Sequence, residues 1–486
     1  MDLWRKEPET THPQAIWPLS LAYSMSNEPR LRRVALRGGA YLAGRQVVSI
    51  LLKFVGVLLI TRVLGPAKYG AYVSGISIYQ YAATIGYAGV GVYLLRHEGD
   101  IPEVSYGTAY SILMMTGLPL LAVIEIGAGL LASWVNVAGF ETVMKIIILG
   151  LPFQLITIPA SVRLERRLDY RSVAMVEIVG QMAFYLLAVP LVMLKFGPNA
   201  LAAAWVLQQI VTCLATHASA KTHPHFSFDR ETARRTVRYA ADYSVANWIW
   251  MARMLVNPLI VGPALGAQAV GIVGMTVGLL EMLSIIKTIV WRLSVAILTK
   301  FRSNAEKLRM AVTEGMELQV LAVGAILLAF GWTGQFIVPR LFGARWIGVM
   351  DIYPYIALSY LTIATFNMHS ATLAVINRNR GLAIYHVVSV TIFATAAYFA
   401  VAKFGIVGYG YAEVATIPAY IVMHMVLARA IGSPDYRLAA LWWTGAAIGL
   451  FWQHGLWLIA APFLALSMPI SVRKLHKYYR DALRRN

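Results

Sequence analysis

The sequence predicts an all-α polytopic membrane protein: two parallel-repeat lobes of six helices, a C-terminal two-helix hairpin, and about 14 transmembrane helices in all. Three observations predict it. Hydrophobic residues make up 58% of the chain and charged residues only 13%, about half the charged share of a soluble domain. The charges are segregated between apolar stretches of roughly 17–25 residues, each long enough for a hydrocarbon core of about 30 Å. Landmark residues also recur at nearly one spacing.

The candidate spans cover residues 38–61, 70–95, 106–133, 141–162, 172–194, 199–220, 239–262, 269–297, 315–339, 350–375, 382–402, 406–428, 438–452 and 455–471. Lys and Arg accumulate on the cytoplasmic side of such proteins. With the amino terminus inside, that side holds Arg30, Arg32, Arg33 and Arg37, then Arg163, Arg166, Arg167 and Arg171. It also holds Lys221, Arg230, Arg234, Arg235 and Arg238, then Lys300, Arg302, Lys307 and Arg309. The outer loops keep Arg62, Lys68, Lys195, Arg340, Arg345 and Lys403. The basic tail from Arg473 must be inside too, which requires an even number of spans. A short hairpin turning near His454-Gly455 therefore beats one long helix from Leu438 to Ile470, and both termini are cytoplasmic.

The chain divides accordingly. Residues 1–30 are polar, proline-bearing and without helical period, and read as a disordered cytoplasmic tail rather than a signal peptide. A six-helix lobe over 31–220 and a basic cytoplasmic linker over 221–238 precede the second six-helix lobe, 239–430. The hairpin occupies 431–472 and a basic cytoplasmic tail 473–486.

The repeat rests on two correspondences. Leu64-Gly65 with Gly70 after the first span matches Leu265-Gly266 with Gly271 after the seventh, and Arg37 then falls on Arg238. Lys195-Phe196-Gly197 before the sixth span matches Lys403-Phe404-Gly405 before the twelfth. Six spans separate each pair, so the copies point the same way, about an axis along the membrane normal. A cavity between two such lobes is the natural binding site.

An ionisable side chain at bilayer depth costs about 2.5–3.5 kcal/mol on the insertion scale, so it needs a cavity, a partner or a function. The cations at depth are Arg45 and Lys53 on span one, Lys145 on span four, Arg253 on span seven, and Lys287 and Arg292 on span eight. Lys145 and Arg292 lie near helix ends, where they snorkel. Arg253 corresponds to Leu52 in the repeat, so each lobe places a cation at similar depth. Buried Arg and Lys suit a phosphate or a uronic acid; an internal salt bridge is the bland alternative for Arg45, Lys53, Arg253 and Lys287 alike. The carboxylates at depth are Glu125, Glu177, Asp242, Glu281 and Glu413. Glu125 and Glu177, away from helix ends, are the ion-coupling candidates, with an interhelical hydrogen bond or ion pair as the other reading.

Other chemistry is excluded. Cys213 is the lone cysteine, so no intrachain disulfide or Cys-rich metal site exists. His217, His223 and His225 lack a zinc-like set of companions. There is no Gly-Lys dipeptide, hence no Walker loop, and neither a GxSxG elbow nor an HExxH helix. No cofactor and no metal are expected, and no catalytic residue. The basic loops set topology, so no nucleic-acid partner is expected. Trp442, Trp443, Trp452 and Trp457 fit an interfacial belt in the lipid bilayer.

The segment Leu59-Ile60-Thr61-Arg62-Val63-Leu64-Gly65-Pro66-Ala67-Lys68-Tyr69-Gly70-Ala71-Tyr72 resembles the end of the first span in polysaccharide-type (Wzx-like) flippases of the multidrug/oligosaccharidyl-lipid/polysaccharide exporter superfamily. The basic loop within Pro159–Arg171, and Leu341-Phe342-Gly343 followed by Trp346, extend the likeness over about residues 31–430. The resemblance implies an inverted-V fold with a cationic lumen and ion-gradient-driven alternating access in a bacterial inner membrane. It implies as cargo an undecaprenyl-diphosphate-linked oligosaccharide, a polyprenyl-diphosphate-linked sugar for exopolysaccharide, capsule or O-antigen synthesis. A polysaccharide polymerase and a chain-length regulator are the implied partners. The family's lumenal basic positions transfer by helix, not by motif, to Arg45, Lys53, Arg253 and Lys287. A secondary multidrug exporter of the same fold is the alternative, and a membrane glycan polymerase or ligase a further one, disfavoured by the short outer loops.

Overall fold

The structure, a computed structural model, describes residues 29–97 and 99–483, without the side chains of 29–43, 45–47, 50, 240–243, 292–293, 296–297 and 481–483. The expected N-terminal tail and the side chains of Arg45, Asp242 and Arg292 lie outside the described residues. What is described is helical, with no strand among the described residues. In chain order the helices are α1 (Pro29–Tyr87), α2 (Val90–Arg96), α3 (Glu103–Val135), α4 (Phe140–Ile148), α5 (Leu151–Arg166), α6 (Tyr170–Met193), α7 (Pro198–Ala220), α8 (Arg230–Ala252) and α9 (Gly262–Leu283). They continue as α10 (Ile285–Thr299), α11 (Ala305–Leu341), α12 (Val349–Val375), α13 (Asn379–Phe404), α14 (Ile406–Ala415), α15 (Tyr420–Ile431), α16 (Arg437–Leu450), α17 (Ala460–Ser467) and α18 (Pro469–Leu483).

Among the described residues, nine helical stretches are long and apolar enough to cross a membrane, or ten if the bent pair Leu456–Ser467 and Pro469–Arg480 counts as one. Helix lies over each of the fourteen expected stretches, but some are short: α16, at 14 residues, spans only part of a bilayer by itself. The expected hairpin is present. The chain turns between α16 and α17, and Gly445 and Gly449 let α16 lie against Ala465 and Pro462 of α17, where a Cβ would come within 2.8–3.1 Å.

Two boundaries differ from the sequence reading. The stretch 230–238, read as linker, is the start of α8, because Asp229 caps it by accepting from the Thr232 amide at 2.7 Å. The hydrogen bonds from Thr232, side chain first, hold the Asp229 carboxyl below the usual carboxylate range. The basic tail continues as α18, bent by 62° from the preceding stretch. Ser471, Lys474 and Tyr478 fall three to four residues apart on its inner face. Trp442 Nε1 donates to Ser471 Oγ (3.0 Å), and Lys474 and Tyr478 reach the buried Glu317 of α11 at 2.9 and 2.5 Å.

The repeat appears in the backbone itself. The first two spans are joined without a loop: α1 runs through a single non-helical residue, Gly65, at φ 70°, ψ 174°. In the second lobe Gly266 does the same at φ 77°, ψ −174°. Positive φ with extended ψ is a glycine conformation, and Pro66, which has no N–H to offer, opens the next helix. Gly197 (φ 67°, ψ −145°) and Gly405 (φ 62°, ψ −142°) match equally well. The apolar core runs across both lobes, joining Ala71, Val143 and Leu151 of the first to Val270, Val349 and Ile356 of the second.

Candidate functional site

The lobes meet most closely at the Gly65–Gly266 end. Gly70 and Gly271 bring the backbones together there: a Cβ on Gly70 would lie 2.0 Å from the Ala267 carbonyl oxygen, and one on Gly271 2.0 Å from that of Pro66. The segment between α11 and α12 closes over this contact. Phe342 and Trp346 are buried, and Trp346 packs edge-on against Tyr69 at 5.6 Å while donating from Nε1 to the Thr61 carbonyl at 3.1 Å. Arg345 lies on Gly65 and donates from Nη2 to the Arg62 carbonyl at 3.2 Å. That carbonyl lost its helical partner to Pro66, so an orphaned backbone acceptor is satisfied from the other lobe. Trp134, at the end of the third span as Trp346 follows the ninth, makes the reciprocal contact. Its Nε1 donates at 3.1 Å to the carbonyl of Leu259, whose α-helical partner position is Pro263.

Lys53 lies below this seal. Ile60 and Leu64 are buried among Phe184, Ala188 and Val192 of α6, while Leu51, Val55, Leu59 and Val63 are exposed on the opposite side of α1. Lys53 precedes Ile60 by seven residues and Leu64 by eleven, two and three helical turns, so it shares the side of α1 that packs on α6 further along. It is nevertheless exposed. It stands about 18 Å along the helix from Gly65.

Arg253 does not stand free. It occupies a tight turn, Arg253–Leu255, that interrupts the seventh span, followed by a wide turn over Asn257–Val261. Its guanidinium pairs with Glu413 of α14 and lies over the Phe393 ring, 4.5 Å from the centroid. Glu413 is 2% exposed and also accepts from Ser359 Oγ at 2.9 Å. The salt-bridge alternative is the one realised for this cation. Sequence reasoning placed Glu413 at membrane depth but not beside Arg253, because the partners are 160 residues apart.

Lys287, on α10, stands 4.0 Å from the centroid of Tyr360. Its electrostatic neighbours are Glu281, Arg253 and Glu413. Asn367 Nδ2 fixes its backbone by donating to the Lys287 carbonyl and to Gln319 Oε1, both at 2.8 Å. The structure thus gathers Arg253 and Lys287 in one polar cluster and sets Lys53 on the facing lobe. Glu125 is half-buried on α3 and Glu177 exposed on α6. Glu125 has Lys145 as an electrostatic neighbour, itself paired with Glu141 at 2.6 Å. No group of three or more metal-ligating side chains occurs among the described residues.

Two repeated helical lobes that meet backbone to backbone at one end define a membrane protein of the flippase and exporter fold. The structural comparisons agree. The fold matches lipid II flippase MurJ in its inward closed conformation, with a TM-score of 0.69, 11% identity, and 91% of this chain and 99% of that one covered. It also matches an inward-facing multidrug resistance MATE family transporter of the MOP superfamily, with a TM-score of 0.62, 16% identity, and 78% and 95% covered. Residues 59–351, well over half of the chain, match the polysaccharide biosynthesis protein family. The chain belongs to that family. It is 26% identical over 192 residues to the succinoglycan biosynthesis transport protein ExoT of Rhizobium meliloti; the match covers 39% of this chain and 38% of that relative.

Proposed function

We propose that this protein turns a polyprenyl-diphosphate-linked, anionic oligosaccharide from the cytoplasmic to the periplasmic leaflet of a bacterial inner membrane, by ion-gradient-driven alternating access. The observation that carries the reading is the placement of Lys53 and Lys287 on different lobes below the Gly65–Gly266 seal. An ammonium is a point charge that suits a diphosphate or a uronic acid. Arg253, held by Glu413, contributes through exchange of that pair rather than as a free cation. The polyprenyl tail stays in lipid while the head group occupies the space between the lobes.

In this reading the seal is periplasmic. The opposite end carries the loops with Arg163, Arg166 and Arg167, the start of α8 and the basic α18, consistent with cytoplasmic termini. The test is surface-glycan export in a strain lacking the chromosomal copy. Lys53→Ala and Lys287→Ala should each reduce export, and the double variant should reduce it further. Full export by the double variant would overturn the lumen reading. Drug sensitivity without a glycan defect on deletion would assign the protein to drug export instead.

A further inference from the structure

The second lobe holds a titratable cluster that the lumen does not use. His369 of α12 is fully buried, and its Nε2 lies 2.5 Å from the hydroxyl of Tyr436. His424 of α15 brings Nδ1 to the same hydroxyl at 2.8 Å. The other ring nitrogen of His369 is buried with no partner. Tyr436 precedes α16 and lines a cavity of about 790 Å³ at the end of the molecule opposite the seal. Two separate helices thus aim imidazole nitrogens at one oxygen, and that oxygen belongs to a residue reached from outside.

We infer that His369, Tyr436 and His424 form a proton-binding site, loaded and emptied through this cavity, that couples the second lobe to a proton gradient; the inference rests on the transport reading above. A phenol has one hydrogen to donate and accepts others. In the neutral cluster one imidazole therefore donates N–H to the phenolic oxygen while the phenol donates to the other imidazole. One extra proton leaves both hydrogen bonds in place, because the donating imidazole simply becomes an imidazolium. It also relays: the phenol passes its hydrogen on as it accepts a new one, moving the charge between His424, half-buried, and His369, in the core. A second proton makes both imidazoles donors, leaves the phenol hydrogen without an acceptor and sets two like charges on one oxygen. The site holds one proton.

Four of the six charged groups around it pair with one another. From α11 come Arg309, Glu314 and Glu317, from α18 Lys474, and beside Tyr436 stand Asp435 and Arg437; Lys474 pairs with Glu317 at 2.9 Å and Arg437 with Asp435 at 3.8 Å. On the inner side the groups are uncharged rings: Phe366 lies 4.7 Å from His369 and 4.6 Å from Tyr420, which is 5.1 Å from Tyr385 of α13. Tyr420 and Tyr385 also border the Arg253–Glu413 pair electrostatically, so charge arriving at His369 is felt one aromatic layer from the lumen cluster.

The test has two arms, both on the full-length chain. Potentiometric titration of the purified protein, from about pH 8 to pH 5, should show the wild type binding one proton more than the His369→Gln/His424→Gln double variant. A difference of two, meaning independent histidines, or of none, would overturn the site. In cells, Tyr436→Phe keeps the ring packed on Phe366 and removes only the hydroxyl. It should lower surface-glycan export by roughly tenfold, and His424→Gln, which keeps an amide donor, should lower it less. If deletion of the gene abolishes export yet Tyr436→Phe exports at the wild-type rate, the coupling role fails while the transport reading stands. If deletion leaves the glycan unchanged, the transport reading fails and the coupling role with it.

Discussion

Gly70 and Gly271 lie back to back across the two lobes, each so close to the other lobe's backbone that a Cβ would sit 2.0 Å from a carbonyl oxygen. The contact is reciprocal. Gly70 meets Ala267 and Gly271 meets Pro66, and each carbonyl belongs to the residue four before the opposing glycine. In the alternating-access cycle proposed above the lobes separate at one end while closing the other, so this contact forms and breaks in every turnover. Two glycines allow a closed state in which backbone meets backbone with nothing to interlock.

Gly271→Ala should hold this end open. Overpacking of this kind costs about 1–3 kcal/mol, which corresponds to roughly 5- to 150-fold in the closed population. Thr61 is fully buried beneath Trp346. A cysteine at 61, probed with an impermeant maleimide from the sealed side, should react slowly with Gly271 intact and correspondingly faster with alanine there. Equal rates would show that the glycine contact does not hold the seal.

Trp346→Phe tests the hydrogen bond of the seal separately from its packing. Losing one donor to the Thr61 carbonyl costs about 1 kcal/mol, so labelling at 61 should rise about fivefold. Trp346→Ala removes one of the largest fully buried side chains and should cost about 3–5 kcal/mol. Trp134→Phe should act in the same direction and less, because that indole is largely exposed.

The Arg253–Glu413 pair makes a prediction about stability. Removing one partner strands a buried charge, at about 3–5 kcal/mol. Glu413→Leu alone should therefore lower the thermal midpoint in detergent sharply, whereas Arg253→Met/Glu413→Leu should recover most of it. Should the double variant prove no better than the worse single one, the pair is not what holds α14 to the turn at Arg253.

The C-terminal helix should depend on one carboxylate. Glu317 accepts from both Lys474 and Tyr478, and Glu317→Ala leaves these without their partner. Trypsin should then cut α18 at Arg473, Lys474 or Lys477 at least several-fold faster than in the wild type, with the rest of the chain as resistant as before. Unchanged cleavage would mean that Ser471 and its contact with Trp442 suffice.

Hydropathy made the helices legible, because a spanning segment must be apolar for its whole length and must close its own backbone hydrogen bonds. The repeat was legible because glycine at Gly65 and Gly266 answers a backbone demand that no other residue meets as cheaply. The site was legible only in part. Lys53, Arg253 and Lys287 stood out as cations at depth, but exposure separates Lys53 from Arg253, and exposure is a property of neighbours. Glu413 stood out as a carboxylate at depth and Trp346 as part of a motif, but neither showed its partner, and the His369–Tyr436–His424 cluster carried no local signal: histidine and tyrosine are ordinary residues of a membrane helix until their partners are known.

By itself, then, the sequence determined the membrane as solvent, the helical elements, the doubled architecture and the cations available to a lumen. These follow from transfer energies and backbone restrictions, which act locally. Only the tertiary structure decided which cation is neutralised, what seals one end, and which titratable groups converge on one oxygen. Those depend on contacts such as Arg253 with Glu413 and Trp346 with Thr61, between residues far apart in the chain, whose approach is fixed by the packing of whole helices and not by any single stretch of sequence.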